Sequence, residues 1–188
     1  MARREGIRFN AGMKKPCLAA LFALIAAPSL AQNDTALERA SGQAVGLFVQ
    51  ACVPFTGDAA GVRRWADEHR LGLIAPDKAR VIMVGSVTGQ VFGASNADGN
   101  FVLVSLDNGF CEVVAEIGDM KVAGEFLSEF LKVDGYSIVP VKGMERAGVS
   151  QQRFDLSRAQ KKLQVSVTQF DGEPATPPQL RLTATPAP

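Results

Sequence analysis

QVFGASNADGNFVLVSLDNGFCEVVAE, residues 90–116, is the segment that decides the fold. It predicts three antiparallel strands, because short apolar stretches rich in strand-forming residues are separated by two turn signals. Asn96-Ala97-Asp98-Gly99 predicts a three-residue hairpin loop with the glycine in the left-handed conformation, and Asn108-Gly109 predicts a two-residue turn. Each turn sets which residues lie opposite each other, so the turns also predict which side chains share a face.

This pairing predicts one apolar face and one mixed face for the three strands. The apolar face comprises Phe92, Ala94, Val102, Val104, Leu106, Cys111, Val113 and Ala115. The mixed face carries acidic residues together with four apolar ones, Phe101, Leu103, Phe110 and Val114. Exposed apolar patches of this kind tend to be interfaces. We therefore predict a binding face at these four residues, unless another layer of the fold covers them.

Two helices precede this segment and one follows it. The first covers 35–52 and begins with a capping box at Thr35. The second begins after Asp58, a good N-cap, and ends at Gly72. The third begins at Asp119, stops at Gly135 and carries a continuous apolar stripe on one side. Each helix is amphipathic and so is expected to pack on the sheet.

The rest of the chain predicts further strands and a proline-rich tail. A short apolar run over 81–84 predicts a buried strand, and strands are expected over 136–141, 153–156 and 163–170, with a loop over 143–150. Five prolines after residue 172 exclude a central strand and predict an extended or disordered tail. The order of elements predicts an α+β fold: an antiparallel sheet of two three-stranded meanders, with two N-terminal helices and one central helix packed on it.

The N-terminal residues 1–31 predict a secretory signal peptide. Lys14 and Lys15 supply the basic part, the apolar run over 17–27 is too short for a membrane span, and small residues precede a cleavage site after Ala31. Met13 is an alternative start, because a compact basic region follows it directly. We expect a periplasmic location, a single domain over 32–171 and a tail over 172–188.

Two cysteines, Cys52 and Cys111, follow the predicted signal peptide. In an exported chain such a pair most simply forms a disulfide. A redox-active pair and a metal site are the alternatives. The cysteines lack the short spacing of redox motifs, and His69 is the only histidine available as a further ligand. We therefore predict a Cys52–Cys111 disulfide, no metal and no cofactor.

The composition of the chain limits the classes of function that it is expected to have. The formal net charge is +1, which gives no electrostatic reason to expect nucleic acid as a partner, and no membrane-spanning segment follows the signal peptide. We predict a non-catalytic protein that binds a partner protein or a small ligand. The alternative is a hydrolase whose site is assembled from dispersed residues, with these candidates: His69, Asp107, Glu112, Glu116, Tyr136 and Arg153.

Several positions resemble those of a group of exported bacterial proteins. A leading helix ends in Cys52, Trp65 lies on the second helix, Gly109-Phe110-Cys111 enters a strand, and Gly135-Tyr136 follows a helix. This combination resembles small uncharacterised exported proteins of Gram-negative bacteria, some of which carry a lipid anchor. The chain lacks the lipobox that such an anchor requires. The resemblance covers about 35–170 and implies an envelope location and a two-cysteine α+β domain.

Overall fold

A computed structural model describes residues 29–83, 88–171 and 179–187. Most of the predicted signal peptide therefore lies outside the described residues. The helices are α1 Ser29–Ala51, α2 Ala59–Glu68, α3 Pro76–Ile82 and α4 Met120–Val133. The strands are β1 Gly72–Leu73, β2 Gly89–Asn96, β3 Gly99–Leu106, β4 Cys111–Ala115, β5 Ser137–Arg146, β6 Val149–Arg158, β7 Lys161–Phe170 and β8 Gln179–Pro186.

All eight strands form one antiparallel sheet in the order β1-β2-β3-β4-β8-β7-β6-β5. The α+β class is confirmed. The two predicted meanders exist as β2–β4 and β5–β7, but they are halves of a larger sheet, and α3 is an additional helix. The strand predicted over 81–84 is wrong for the residues that the structure describes. Val81 and Ile82 are instead the last two residues of α3, whose first residue is Pro76. Proline is favoured at that position because a helix leaves its first N–H groups unpaired.

The prediction that the tail contains no central strand is also wrong. β8 lies between β4 and β7 and joins the two halves of the sheet. Its sequence fits this place, because three buried side chains, Leu180, Leu182 and Ala184, alternate with polar ones. Its only proline, Pro186, is the last residue of the strand, where a missing N–H costs little.

Both hairpin loops of the β2–β4 meander differ from the prediction by one residue. Asn96 pairs with Gly99, so the first loop has two residues, and the Asn96 side chain accepts a hydrogen bond from the Asp98 amide. Ser105 pairs with Cys111, so the second loop is longer than the predicted turn. As a result the side chains of β3 point to the opposite faces from those predicted, so that Phe101 and Leu103 face the main core. The core-facing residues of β2 and β4 are as predicted.

The β5–β6 hairpin is longer than predicted. The loop expected over 143–150 is wrong, because β5 continues to Arg146 and β6 begins at Val149. Gly148, with φ +72°, lies in the short turn between them. The pairing shifts between Val141 and Met144, which marks a bulge in β5.

The main core lies between one face of the sheet and three helices. α1, α2 and α4 contribute Phe48, Val62 and Leu127 to it, and the strands contribute residues such as Leu103 and Leu182. α3 packs on the opposite face and forms a small second cluster of buried residues with β2 and β3. Within the described residues, no helix is long and apolar enough to cross a membrane.

The predicted disulfide is confirmed. Cys52 and Cys111 are bonded, their Cα atoms are 5.4 Å apart, and both are fully buried. Cys52 directly follows α1, and Cys111 is the first residue of β4. The bond therefore fastens the end of the long helix to the middle of the sheet.

Candidate functional site

The four residues predicted as a binding face do not share one face in the structure. Phe101 and Leu103 belong to the main core, where they are almost completely buried. Val114 lies on the opposite face and is paired with Val102, which packs beside α3. Phe110 is half-buried next to the β3–β4 turn. The one-residue difference in the register of β3 is the physical reason for this separation.

His69 and Tyr136 are two of the candidate catalytic residues. In the structure their rings contact Trp65 and Arg158, respectively, and not an acidic residue. The His69 ring stacks on Trp65 with ring centroids 4.0 Å apart, and His69 Nδ1 lies 2.8 Å from the Trp65 carbonyl oxygen. The Arg158 guanidinium lies 5.5 Å from the centre of the Tyr136 ring. In the part of the chain that the structure describes, neither side chain is hydrogen-bonded to one of the candidate carboxylates.

Two of the candidate acids lie at opposite ends of the β3–β4 hairpin. Asp107, beside the turn, accepts a hydrogen bond from Arg63, and this bond lowers the pKa of Asp107 below its ordinary value. At the other end, Asn100 donates to Glu116 at 2.6 Å. The two acids thus have separate partners, and the structure does not bring them together.

Arg153 and Glu112 lie on the face of the sheet away from α1 and α4. Arg153 donates to the Gln164 side chain at 2.6 Å. Glu112 is 8% exposed, and its burial raises the pKa of the carboxyl group, while Arg181, 3.7 Å away, partly offsets this effect. A carboxyl group with a raised pKa keeps its proton to a higher pH than an ordinary glutamate does, which is a property of general acids.

A groove of about 870 Å³ lies between α4 and the β5–β6 hairpin. We call it the α4–β5 groove. The helix contributes one wall, made of Lys121, Gly124, Glu125, Ser128, Glu129, Lys132 and Val133. The sheet contributes the other, made of Pro140, Val141, Gly143, Gln151, Gln152, Arg153 and Phe154, of which Pro140, Gln152 and Phe154 turn their side chains toward α4. The groove thus follows α4 over almost its whole length.

The closest approach between the two walls is at Gly124. A Cβ atom on this residue would lie 2.4 Å from Oε1 of Gln152, so only glycine leaves room for the Gln152 side chain in its present position. Gln152 itself forms no side-chain hydrogen bond with any described residue. Its amide therefore offers both a donor and an acceptor at the floor of the groove.

Four charged side chains stand along the helix wall of the groove. They follow the order positive, negative, negative, positive: Lys121, Glu125, Glu129 and Lys132. All four are exposed, and none has an ion-pair partner within 4.0 Å among the described residues. The wall therefore presents charges that are available to a ligand.

Large apolar side chains that remain exposed occur mostly on the two elements that flank the groove, but only Val133 lines it. Of five such side chains in the described part of the protein, four lie on α4 and β5, namely Phe130, Val133, Val139 and Met144. Val133, which also lines the groove, is 82% exposed. The fifth, Leu73, lies in β1 at the opposite edge of the sheet. Val133 therefore supplies exposed apolar surface to the groove, whereas Val139 and Met144 pair with Asp155 and Gln151 on the other face of the sheet.

The outer edge of β5 is poorly suited to pairing with another strand. β5 is the last strand of the sheet, and unpaired edge strands tend to recruit strands from other chains. Pro140 has no N–H to donate, and the shift in register between Val141 and Met144 interrupts the regular ladder. A partner at this end of the molecule is therefore better accommodated in the groove than along the strand edge.

Comparison of the chain with protein-family models and with curated proteins finds no match. Within the described residues, no group of three or more His, Cys, Asp or Glu side chains is placed to hold a metal ion. The groove is therefore identified by its own geometry.

Proposed function

We propose that this chain is a non-catalytic periplasmic protein that binds a partner protein or a small ligand in the α4–β5 groove. One observation carries the proposal: the groove of about 870 Å³ brings together the exposed side chain of Val133, four charged side chains without ion-pair partners among the described residues, and the Gln152 amide. Ligand sites are typically concave, largely apolar and supplied with a few polar groups. The Gln152 amide and the charges of α4 would be those polar groups.

The periplasmic part of the proposal has two supports. The sequence before residue 32 has the basic and apolar regions of a secretory signal. The mature part contains a disulfide, which is characteristic of oxidising compartments. Fractionation of the native host, followed by N-terminal sequencing of the protein, tests the location and the expected cleavage after Ala31. Recovery of an uncleaved chain from the cytoplasm would contradict it.

Photo-crosslinking tests whether the groove is occupied in cells. A benzoylphenylalanine in place of Glu129, at the rim of the groove, is expected to give a discrete adduct in the native host. Ser128→Trp fills the groove and should abolish this adduct. Leu73→Trp adds the same bulk at the opposite edge of the sheet and should leave it unchanged. An adduct that survives Ser128→Trp would place the binding site elsewhere.

A hydrolase remains the second candidate function, and Glu112 is the observation that favours it. Its buried carboxyl group could act as a general acid on the face of the sheet that carries Arg181. If so, Glu112→Gln would abolish a hydrolytic activity measured on envelope substrates while the protein stays folded. Unchanged turnover by this variant would remove Glu112 from that role.

A further inference from the structure

The α4–β5 groove has a length that fits a short extended peptide. Lys121 and Lys132 both line it, and eleven helical residues at 1.5 Å each give a wall of about 16 Å. An extended chain rises about 3.3 Å per residue, so roughly five residues match this length. This inference rests on the proposed function, because it concerns what the same groove binds.

Successive side chains of an extended peptide point in opposite directions. The odd positions of a five-residue segment in the groove would face α4, and the even positions would face the sheet wall. The two walls differ in chemistry. The side chains of Pro140 and Phe154 face the groove from the sheet wall, whereas the helix wall carries exposed lysines at its ends and exposed glutamates between them.

We propose that the α4–β5 groove binds an extended peptide segment of a partner protein with the pattern acidic–apolar–basic–apolar–acidic. The central basic side chain lies against Glu125 and Glu129, and the outer acidic ones lie near Lys121 and Lys132. Gln152 holds the peptide main chain, because its amide can donate to a peptide carbonyl and accept from a peptide N–H. This amide has no other described partner, so the contact breaks no existing hydrogen bond.

A pair of synthetic pentapeptides tests the proposal on the unaltered protein. The first is the capped peptide Asp-Leu-Lys-Leu-Asp, and the second is Lys-Leu-Asp-Leu-Asp, which has the same composition and net charge in a different order. Titration followed by NMR should show about fivefold tighter binding of the first, since each exposed charge pair contributes modestly. The ratio should approach one at about 1 M salt, where the screening length is about 3 Å. Equal affinities at low salt would overturn the proposal.

Two variants locate the effect in the groove. The double variant Glu125→Lys/Glu129→Lys alters only exposed side chains and should reverse the preference between the two peptides. Gln152→Leu should weaken both peptides by a similar factor and leave their ratio unchanged. A preference that survives the double charge reversal would overturn the proposal.

The crosslinking result at position 129 and the pentapeptide titrations together distinguish a failure of the peptide inference from a failure of the proposed function. If the adduct at position 129 forms and is lost in Ser128→Trp, but neither pentapeptide shifts the resonances of α4, the groove binds something other than this peptide. The peptide inference is then wrong and the binding function stands. If no adduct forms at position 129 in the native host, the proposed function fails together with the inference.

Discussion

The amide of Gly57 donates a 3.0 Å hydrogen bond to the carbonyl oxygen of Gly109, so the loop after α1 lies backbone to backbone against the β3–β4 turn. Gly109 has φ +83°, and a Cβ atom on it would lie 2.7 Å from Cα of Gly57. This contact lies close to the disulfide in both segments of chain. It shows how glycine at two positions lets the helical layer approach the sheet.

Gly109→Ala is expected to destabilise the protein more than Gly135→Ala. Gly135 has a similar φ of +78°, but nothing lies within 4 Å of an added Cβ atom. Gly135→Ala should therefore cost only the backbone strain, about 1–2 kcal/mol, whereas Gly109→Ala should cost roughly 1–3 kcal/mol more for the clash. Urea unfolding of the oxidised proteins measures both values. Equal decreases in the free energy of unfolding would show that the backbone around Gly57 moves to accommodate the added Cβ atom without cost.

Removal of the disulfide is expected to lower the free energy of unfolding substantially. The two cysteines are separated by 59 residues, and the chain-entropy model gives about 4 kcal/mol for a loop of this size. Cys52→Ala/Cys111→Ala should unfold at the same urea concentration as the reduced wild-type protein. A loss below about 1 kcal/mol would mean that the unfolded chain is already compact without the bond.

Glu112→Gln is expected to change how stability depends on pH. Burial raises the pKa of Glu112 above the ordinary value of 4.5, so the folded state binds the proton more readily than the unfolded chain. The contribution of this group is therefore fully present below pH 4.5, and stability falls as the pH rises through the raised pKa. Glu112→Gln should remove this fall and make the protein relatively more stable near neutral pH.

Urea unfolding at a series of pH values between 4 and 8 measures the effect of Glu112→Gln. Glu145→Gln, at an exposed position of β5, provides the matched control and should leave the pH profile unchanged. A wild-type profile that runs parallel to that of Glu112→Gln would contradict the assignment.

Ala159→Gly is expected to stabilise the protein. Ala159 has φ +51° in the turn between β6 and β7, a conformation that costs a non-glycine residue about 1–2 kcal/mol. Ala147 occupies the corresponding place in the β5–β6 turn without a positive φ. Ala147→Gly should therefore be slightly destabilising, by about 0.5–1 kcal/mol at most. The signs of the two shifts in melting temperature check the prediction.

Lys161→Met is expected to destabilise the protein, because it removes hydrogen bonds to the segment that follows α1. The Lys161 ammonium group donates to the carbonyl oxygens of Val53 and Pro54 at 2.9 and 2.5 Å. Loss of these hydrogen bonds leaves two carbonyls without this donor and should cost about 1–2 kcal/mol in urea unfolding. The neighbouring Lys162 is exposed, and Lys162→Met should have little effect. Similar losses in both variants would show that the ammonium contributes nothing specific.

Local chemistry in the sequence was sufficient to predict the starts of α2 and α4, but not that of α1, which begins at Ser29 rather than at the predicted capping box of Thr35. Asp58 and Asp119 were predicted as N-caps, and their side chains accept hydrogen bonds from the amides of Gly61 and Val122, each at 2.9 Å. Such caps involve residues three positions apart. No distant part of the chain has to be known to recognise them.

The register of β3 could not be predicted in the same way. Phe101 and Leu103 are as apolar as Val102 and Val104, so the hydrophobic pattern fits either orientation of the strand. The choice depends on distant packing: Leu103 lies in the core beneath α1, and Val104 lies beside α3. The turn residues alone also allowed two loop lengths, because asparagine and glycine occur in both kinds of loop.

The α4–β5 groove was missed because its two walls are far apart in the sequence. Nothing local connects Gly124 with Gln152, and both look like ordinary surface positions. Val133 gave a weak signal, since it is an apolar residue outside the predicted stripe of the helix. A search for apolar residues on the polar side of amphipathic helices would have found it.

The position of β8 has a consequence for the order of events in folding. β2–β4 and β5–β7 pair with close neighbours along the chain, and such local contacts form quickly. β8 pairs Ala184 with Cys111 on one side and with Val165 on the other, so it joins the two meanders only after both exist. Until then β4 and β7 are open edges that can recruit other chains. The interval before β8 is inserted is therefore when this protein is most exposed to aggregation.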